Sequence, residues 1–164
     1  MESPIKTPEQ LLAYRSLEQV LAGKPAGAYS VTPADSVYSA LELMANKSIG
    51  FVVVIDGNRL VGVLSERDYA RKVILQGRSS KETKVGDIMT SKVVSVSPQQ
   101  TIPQCMALMS DGGFRHLPIV DGGRVIGVLS IRDILKEIIA HHERLIRNLE
   151  LERMTILNPG SSSY

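Results

Sequence analysis

A sequence that overlies itself at a fixed offset must be read as a repeat before anything else, and this chain does so at 65 residues. Residues 29–72 set against 94–137 without a gap give 14 identities in 44 pairs. Ser30-Val31-Thr32-Pro33 lies over Ser95-Val96-Ser97-Pro98, Leu43-Met44 over Leu108-Met109, and Asp56-Gly57-Asn58-Arg59 over Asp121-Gly122-Gly123-Arg124. Strand starts, helices and turns keep one register, so the chain is a tandem duplication joined by residues 81–92.

Each copy reads alike. After a short extended piece, apolar residues recur at helical spacing: Val37, Ala40, Leu41 and Met44 in the first, Ile102, Cys105, Met106 and Met109 in the second. Pro33 and Pro98 suit the start of these helices. A strand follows at 49–55 or 114–120, then an Asp-Gly hairpin signal and a return strand at 60–64 or 125–129. A second helix runs over about 66–76 with Gly77 as its left-handed cap, and its counterpart begins near Ile131. The unit is β-α-β-β-α. Runs such as Phe51-Val-Val-Val-Ile55 imply strands buried on both faces, so one copy cannot hide its sheet alone and two packed sheet to sheet can.

Both return strands end on Ser-x-Arg-Asp: Ser65, Arg67 and Asp68, then Ser130, Arg132 and Asp133. Serine with aspartate three residues on is the pattern of a capping box. The same residues suit a nucleotide: the exposed N–H groups of a helix start favour phosphate, arginine grips it through two donors, and aspartate accepts from sugar hydroxyls. The readings are compatible. A capping box has no use for the repeated arginine, which the helix dipole mildly disfavours at that end.

Charge and composition narrow the classes. With 19 basic and 17 acidic residues the net charge is +2, which argues against a nucleic-acid footprint or a polybasic membrane patch. One cysteine, Cys105, allows neither an internal disulfide nor a cysteine zinc site. The first residues lack the apolar stretch of a signal peptide and no apolar run is long enough for a membrane span, so a soluble, cytoplasmic protein is expected. His116 has no partner at metal spacing, and the adjacent His141 and His142 cannot share a helix face, so no metal is expected. No phosphate-loop, dinucleotide or nucleophile-elbow motif occurs, and no catalytic residue is assigned.

The doubled pattern resembles a pair of CBS domains, the regulatory repeats named after cystathionine β-synthase. The resemblance is carried by Phe114-Arg-His-Leu-Pro-Ile-Val-Asp-Gly-Gly-Arg-Val-Ile-Gly-Val-Leu-Ser-Ile-Arg-Asp133, by the parallel run 49–68, and by the repeat starts at 29–33 and Asp87-Ile-Met-Thr-Ser91. Ser65-Glu-Arg-Asp-Tyr-Ala-Arg-Lys72 is similar to the stand-alone two-repeat bacterial subgroup. The implied fold is α+β, α/β-like: two tandem β-α-β-β-α repeats packed sheet to sheet as a CBS pair, with extra terminal helices. The implied divisions are an N-terminal segment (1–19), the first repeat (20–80), linker and second repeat (81–140), and a C-terminal helix extension with a tail (141–164).

That resemblance implies a non-catalytic regulatory module that binds adenine nucleotides between the repeats and signals to a partner protein. AMP leads the candidates, followed by ADP, ATP, NAD(H) and S-adenosylmethionine. Carried over, Ser130 and Arg132 would hold phosphate and Asp133 the ribose, with His116, Leu117, Pro118 and the backbone of Val94 and Val96 framing the adenine. Ser65, Arg67 and Asp68 would play the same parts in the first repeat, with Ile49, Gly50, Phe51, Tyr29 and Val31 near the base. Val53 stands where the second repeat has Pro118, and Phe51 offers a ring to stack on a base. Differing pockets allow AMP in one cleft and a dinucleotide such as NAD(H) in the other.

The ends carry two amphipathic stretches. Residues 11–22 form a helix expected to cover the first repeat, and a long helix at 134–157 places Leu135, Ile138, Ile139, His142, Leu145, Ile146 and Leu149 along one broad side. Its outer part is expected to meet an identical chain, giving a homodimer. A structural scaffold with vestigial clefts, or an enzyme acting on an adenine nucleotide, are the alternatives.

Overall fold

The computed structural model describes residues 13–157. In chain order it comprises α1 (Leu17–Ala22), β1 (Ser30–Val31), α2 (Val37–Lys47), β2 (Phe51–Asp56), β3 (Arg59–Ser65), α3 (Glu66–Lys72), a 3-10 turn (Ile74–Gln76), α4 (Val85–Ile88), α5 (Ile102–Gly112), β4 (His116–Asp121), β5 (Arg124–Ser130) and α6 (Ile131–Leu157). The duplication is visible in every element from β1 to α3 and their counterparts. In the first sheet β1 runs parallel to β2, and β2 pairs antiparallel with β3. In the second, β4 and β5 repeat the hairpin, and the edge strand shrinks to one parallel bridge between Val96 and Ile119. β3 and β5 pack against each other, bringing the two sheets together.

Local chemistry explains the boundaries. Ser36 caps α2 by accepting from the Ser39 N–H, and Thr101 forms a capping box with Gln104 at the start of α5. Pro33 and Pro98 therefore lie in turns three residues ahead of the caps, and Pro103 takes the first turn of α5 instead. The second hairpin turns through Gly122 and Gly123, both at positive φ. The helix expected over 66–76 stops at Lys72: Val73 turns fully into the core, a 3-10 turn follows, and Gly77 closes it at φ 65°.

Two apolar cores result. The first joins Val37, Ala40 and Met44 of α2 to Val52, Val54 and Leu64 of its hairpin, and the second joins Ile102, Cys105 and Met109 of α5 to Leu117, Ile119 and Leu129. The segment preceding each repeat packs on the other one. Val85 and Ile88 of α4, in the linker, complete the first core. Leu17 of α1 is fully buried in the second core, with Val20 and Leu21 against it.

Two expectations are corrected here. Among the described residues the N-terminal helix starts at Leu17, where Ser16 and Gln19 form a capping box, and residues 11 and 12 lie outside the described range. It covers the second repeat, not the first, because its apolar side meets α6 and β5 and because Glu137, buried on α6, accepts from the Arg15 N–H at 2.9 Å. The long helix is continuous from Ile131, and its apolar side is split. Ile134, Glu137 and His141 face inward, and His141 packs its ring on Tyr14 at 4.4 Å, whereas Leu135, Ile139, Ile146 and Leu149 are each more than half exposed. No described helix is long and apolar enough to cross a membrane.

Candidate functional site

Packing one hairpin on its copy leaves two clefts along the seam, of about 360 and 410 Å³, each within the range of small-ligand sites. The first holds Ser65, Arg67 and Asp68, the second Ser130 and Arg132. Gly50, Phe51, Arg115 and His116 line both and form their common wall. In that wall the Phe51 and His116 rings are stacked, 4.6 Å apart and 10° from parallel.

Each cleft draws its opposite side from the other repeat. The linker pairs with β3 through Val63 and Thr90, which exchange N–H and C=O at 3.0 and 2.9 Å. Lys92, Val93 and Val94 then pass over Ser65, so Val94, His116 and Pro118 belong with Ser65. Tyr29 and Ile49 belong with Ser130. Val94 and Pro118, expected beside Ser130, and Tyr29 and Ile49, expected beside Ser65, thus change places, because the first strand of each repeat leaves from an arm lying on the other, while Gly50, Phe51 and His116 line both clefts. Leu117 is fully buried, and Val31 and Val96 are buried core residues; none of the three lines a cleft. Val96 spends its backbone on Pro118 and Val120, as a strand residue must. Val53 is fully buried within β2, while its counterpart Pro118 lines the first cleft.

Both Ser-x-x-Asp pairs are complete capping boxes. Asp68 Oδ2 accepts from the Ser65 N–H and hydroxyl at 2.9 Å each, and Ser65 Oγ accepts from the Asp68 N–H. Asp133 and Ser130 repeat this at 2.8 and 2.9 Å. The remaining partners differ. Asp68 Oδ1 faces Lys72 Nζ at 2.8 Å, one turn on, and accepts from the Thr90 hydroxyl at 3.3 Å, yet still lines its cleft. Asp133 Oδ2 is met by Lys24 Nζ at 2.6 Å and does not line the second cleft. Burial pushes both carboxyls up, but hydrogen bonds from these lysines and serines outweigh it and hold them below the ordinary value. His116 is pushed down by burial and then by the Lys24 charge, with Asp133 opposing, so its ring is neutral near pH 7.

The charged lining of the first cleft is mixed, Arg67, Lys92 and Arg115 with Glu66 and Asp68, and that of the second is cationic, Lys24, Arg115 and Arg132. Aromatic and aliphatic surface, including Phe51 and His116 of the shared wall, accompanies these charges. Such a site accommodates an anion attached to a flat ring. Sequence reasoning missed Thr90, Lys92, Phe114 and Arg115 in the first cleft, and Leu21, Lys24, Pro25 and Ser48 in the second. Thr90 carried a signal in the Asp87-Ile-Met-Thr-Ser91 repeat start, as did Phe114 and Arg115 at the head of the run 114–133; the others carried none.

Comparison with known proteins agrees with this architecture. The family model described as CBS domain matches twice, at residues 26–74 and 85–140. A mitochondrial CBS domain-containing protein of Arabidopsis thaliana, CBSX3, is 40% identical over 123 residues, covering 72% of this chain and 60% of that protein. A protein with CBS domains from Burkholderia ambifaria is 50% identical, with a TM-score of 0.74 over 77% of this chain and 95% of that one. The CBS domain protein PAE2072 of Pyrobaculum aerophilum, complexed with AMP, shares the fold at 23% identity, with a TM-score of 0.65 over 73% of this chain and 89% of that one. The chain belongs to the CBS-domain family and carries the domain as a tandem pair.

Proposed function

We propose that this tandem CBS pair is a regulatory, non-catalytic module that binds an adenine nucleotide, AMP first among ADP, ATP and NAD(H), between its repeats and passes occupancy to another protein. The observation that carries this reading is the first cleft, which a carboxylate, a serine hydroxyl and Arg67 line together with the Phe51–His116 stack and Pro118. In this reading Asp68 would meet the ribose hydroxyls, Ser65 with Arg67 the phosphate, and the side chains of His116, Pro118 and Val94 the base. That AMP occupies the same fold in the Pyrobaculum protein supports the ligand class. At about 0.3 kcal/mol per heavy atom, AMP would bind with a dissociation constant on the order of 10 μM, a value suited to metabolite sensing.

A thermal-shift panel of AMP, ADP, ATP, NAD(H) and S-adenosylmethionine tests it. Ligand at about a hundredfold excess stabilises by about 2.7 kcal/mol, or roughly 5–10 °C for a chain of this length. A shift with an adenine nucleotide that shrinks in Asp68→Ala is the expected result. No shift with any of the five would leave the capping boxes as structural devices and favour the scaffold reading.

The nearest partner we propose is a second copy of the chain. Along α6 the exposed positions Leu135, Ile139, His142, Ile146, Leu149, Arg153 and Ile156 alternate in steps of four and three, the spacing of a self-pairing helix seam. Five of the exposed large apolar side chains of α6, Leu135, Ile139, Ile146, Leu149 and Ile156, lie on that seam, and at roughly 100 Å² each they supply about 500 Å² of the ~800 Å² per partner of a standard interface. Sedimentation at micromolar concentration should show a dimer; a monomer would overturn this.

A further inference from the structure

The two clefts share a plan but are closed by different chemistry. Under the 65-residue offset Lys24 and Pro25 correspond to Met89 and Thr90, and Val128 to Val63. In the first cleft the Thr90 N–H donates to the Val63 carbonyl at 2.9 Å, while its hydroxyl donates to Asp68. Pro25 has no N–H to give. In the second cleft the Val128 carbonyl is instead met by the Lys24 ammonium at 2.7 Å, which simultaneously binds Asp133 at 2.6 Å. One side chain thus replaces a backbone bridge and a hydroxyl. The consequence for ligand access is unequal: Lys72, the lysine on Asp68, does not line the first cleft while Asp68 does, whereas Lys24 lines the second cleft and its partner Asp133 does not.

We propose that Lys24 sets the order in which the clefts fill, by occupying the carboxylate that a ribose in the second cleft would need. This rests on the nucleotide reading above and adds the inequality of the two sites. The first cleft takes an adenine nucleotide as folded. The second takes one only when the Lys24 ammonium leaves Asp133. Lys24 follows directly on α1, whose Leu21 reaches over Gly127 so closely that a Cβ there would lie 2.6 Å from Leu21 Cδ2. Filling the second cleft therefore pulls on the arm that covers the second repeat, while the linker arm over the first repeat is held by backbone bonds.

The test is calorimetric titration of the full chain with AMP, comparing wild type, Lys24→Met, Asp68→Ala and the Lys24→Met/Asp68→Ala double variant. Methionine copies the equivalent residue of the linker arm, Met89, and Lys24→Gln serves as a second variant if methionine disturbs folding. Wild type is expected to bind one AMP tightly, and Asp68→Ala to weaken that site. Lys24→Met should gain a second site at least ten-fold tighter than any second site of the wild type, and the double variant should keep that gain. An unchanged second site, or one weakened by Lys24→Met and Lys24→Gln, would overturn the proposal and make Lys24 a phosphate ligand. AMP heat absent from every variant would remove the nucleotide reading and this proposal with it, whereas binding to the first cleft without the gain removes only the proposal.

Discussion

Asp68 and Asp133 are both helix caps, but only Asp68 also lines a cleft. As caps their value is ordinary: Asp68→Ala is expected to cost about 1 kcal/mol in chemical denaturation, and a loss near zero would show that the box is not used. Their carboxyls sit below the ordinary value, so the unfolded chain takes up protons first as the pH falls. Their contribution is complete above about pH 4 and is lost as the pH drops through the lower folded values. His116 has the same sign at a higher pH. Its folded ring resists protonation, so stability should begin to decline below about pH 6.5. In His116→Phe, which preserves the stack on Phe51, melting between about pH 6.5 and 5 should be flatter than in wild type; identical slopes would show that His116 does not titrate as described. The sequence revealed both aspartates because they repeat. It concealed Lys24, because a lysine beside a proline resembles any surface turn until the fold sets it over Asp133.

The elements were legible wherever local chemistry repeats. The hairpins, α2 and α5 follow from alternation, caps and Asp-Gly turns, and their bounds differ from expectation by only a few residues. What sequence could not show is which core each connecting segment joins, since apolar periodicity marks a buried face without naming its partner. Leu17 and Val85 therefore came as assignments of the structure. The same limit applied to α6, where one apolar side resolved into an inner face around Ile134 and His141 and an outer stripe around Ile139 and Ile146. If that stripe pairs with a second copy, Ile139→Lys with Ile146→Lys should convert the dimer to monomer in sedimentation while leaving the far-ultraviolet circular dichroism near wild type; a dimer that persists would place the interface elsewhere. Gly112 offers a separate probe. A Cβ there would fall on the Phe114 ring, which lines the first cleft, so Gly112→Ala should weaken AMP at that cleft by displacing the ring. Unchanged affinity in calorimetry would count against Phe114 as part of the site.

At the scale of the molecule, duplication generates both clefts. A single repeat has a two-faced apolar sheet and half of each site; the second copy covers the sheet and supplies the other halves. The exchange of arms makes each cleft a joint product of both repeats, which is why Val94 and Pro118 line the cleft of Ser65 and Tyr29 and Ile49 that of Ser130. The common wall of Phe51 and His116 means that a base entering one cleft touches residues that line the other, a physical route for coupling occupancy. The most direct test is a two-dimensional amide NMR titration of the 17.9 kDa chain with AMP. The first resonances to move should be those of Gly50, Phe51, Ser65 to Asp68, Val94 and His116, saturating in the micromolar range and failing to move in Asp68→Ala. A spectrum that AMP leaves unchanged, or changes confined to surfaces away from both clefts, would contradict the account.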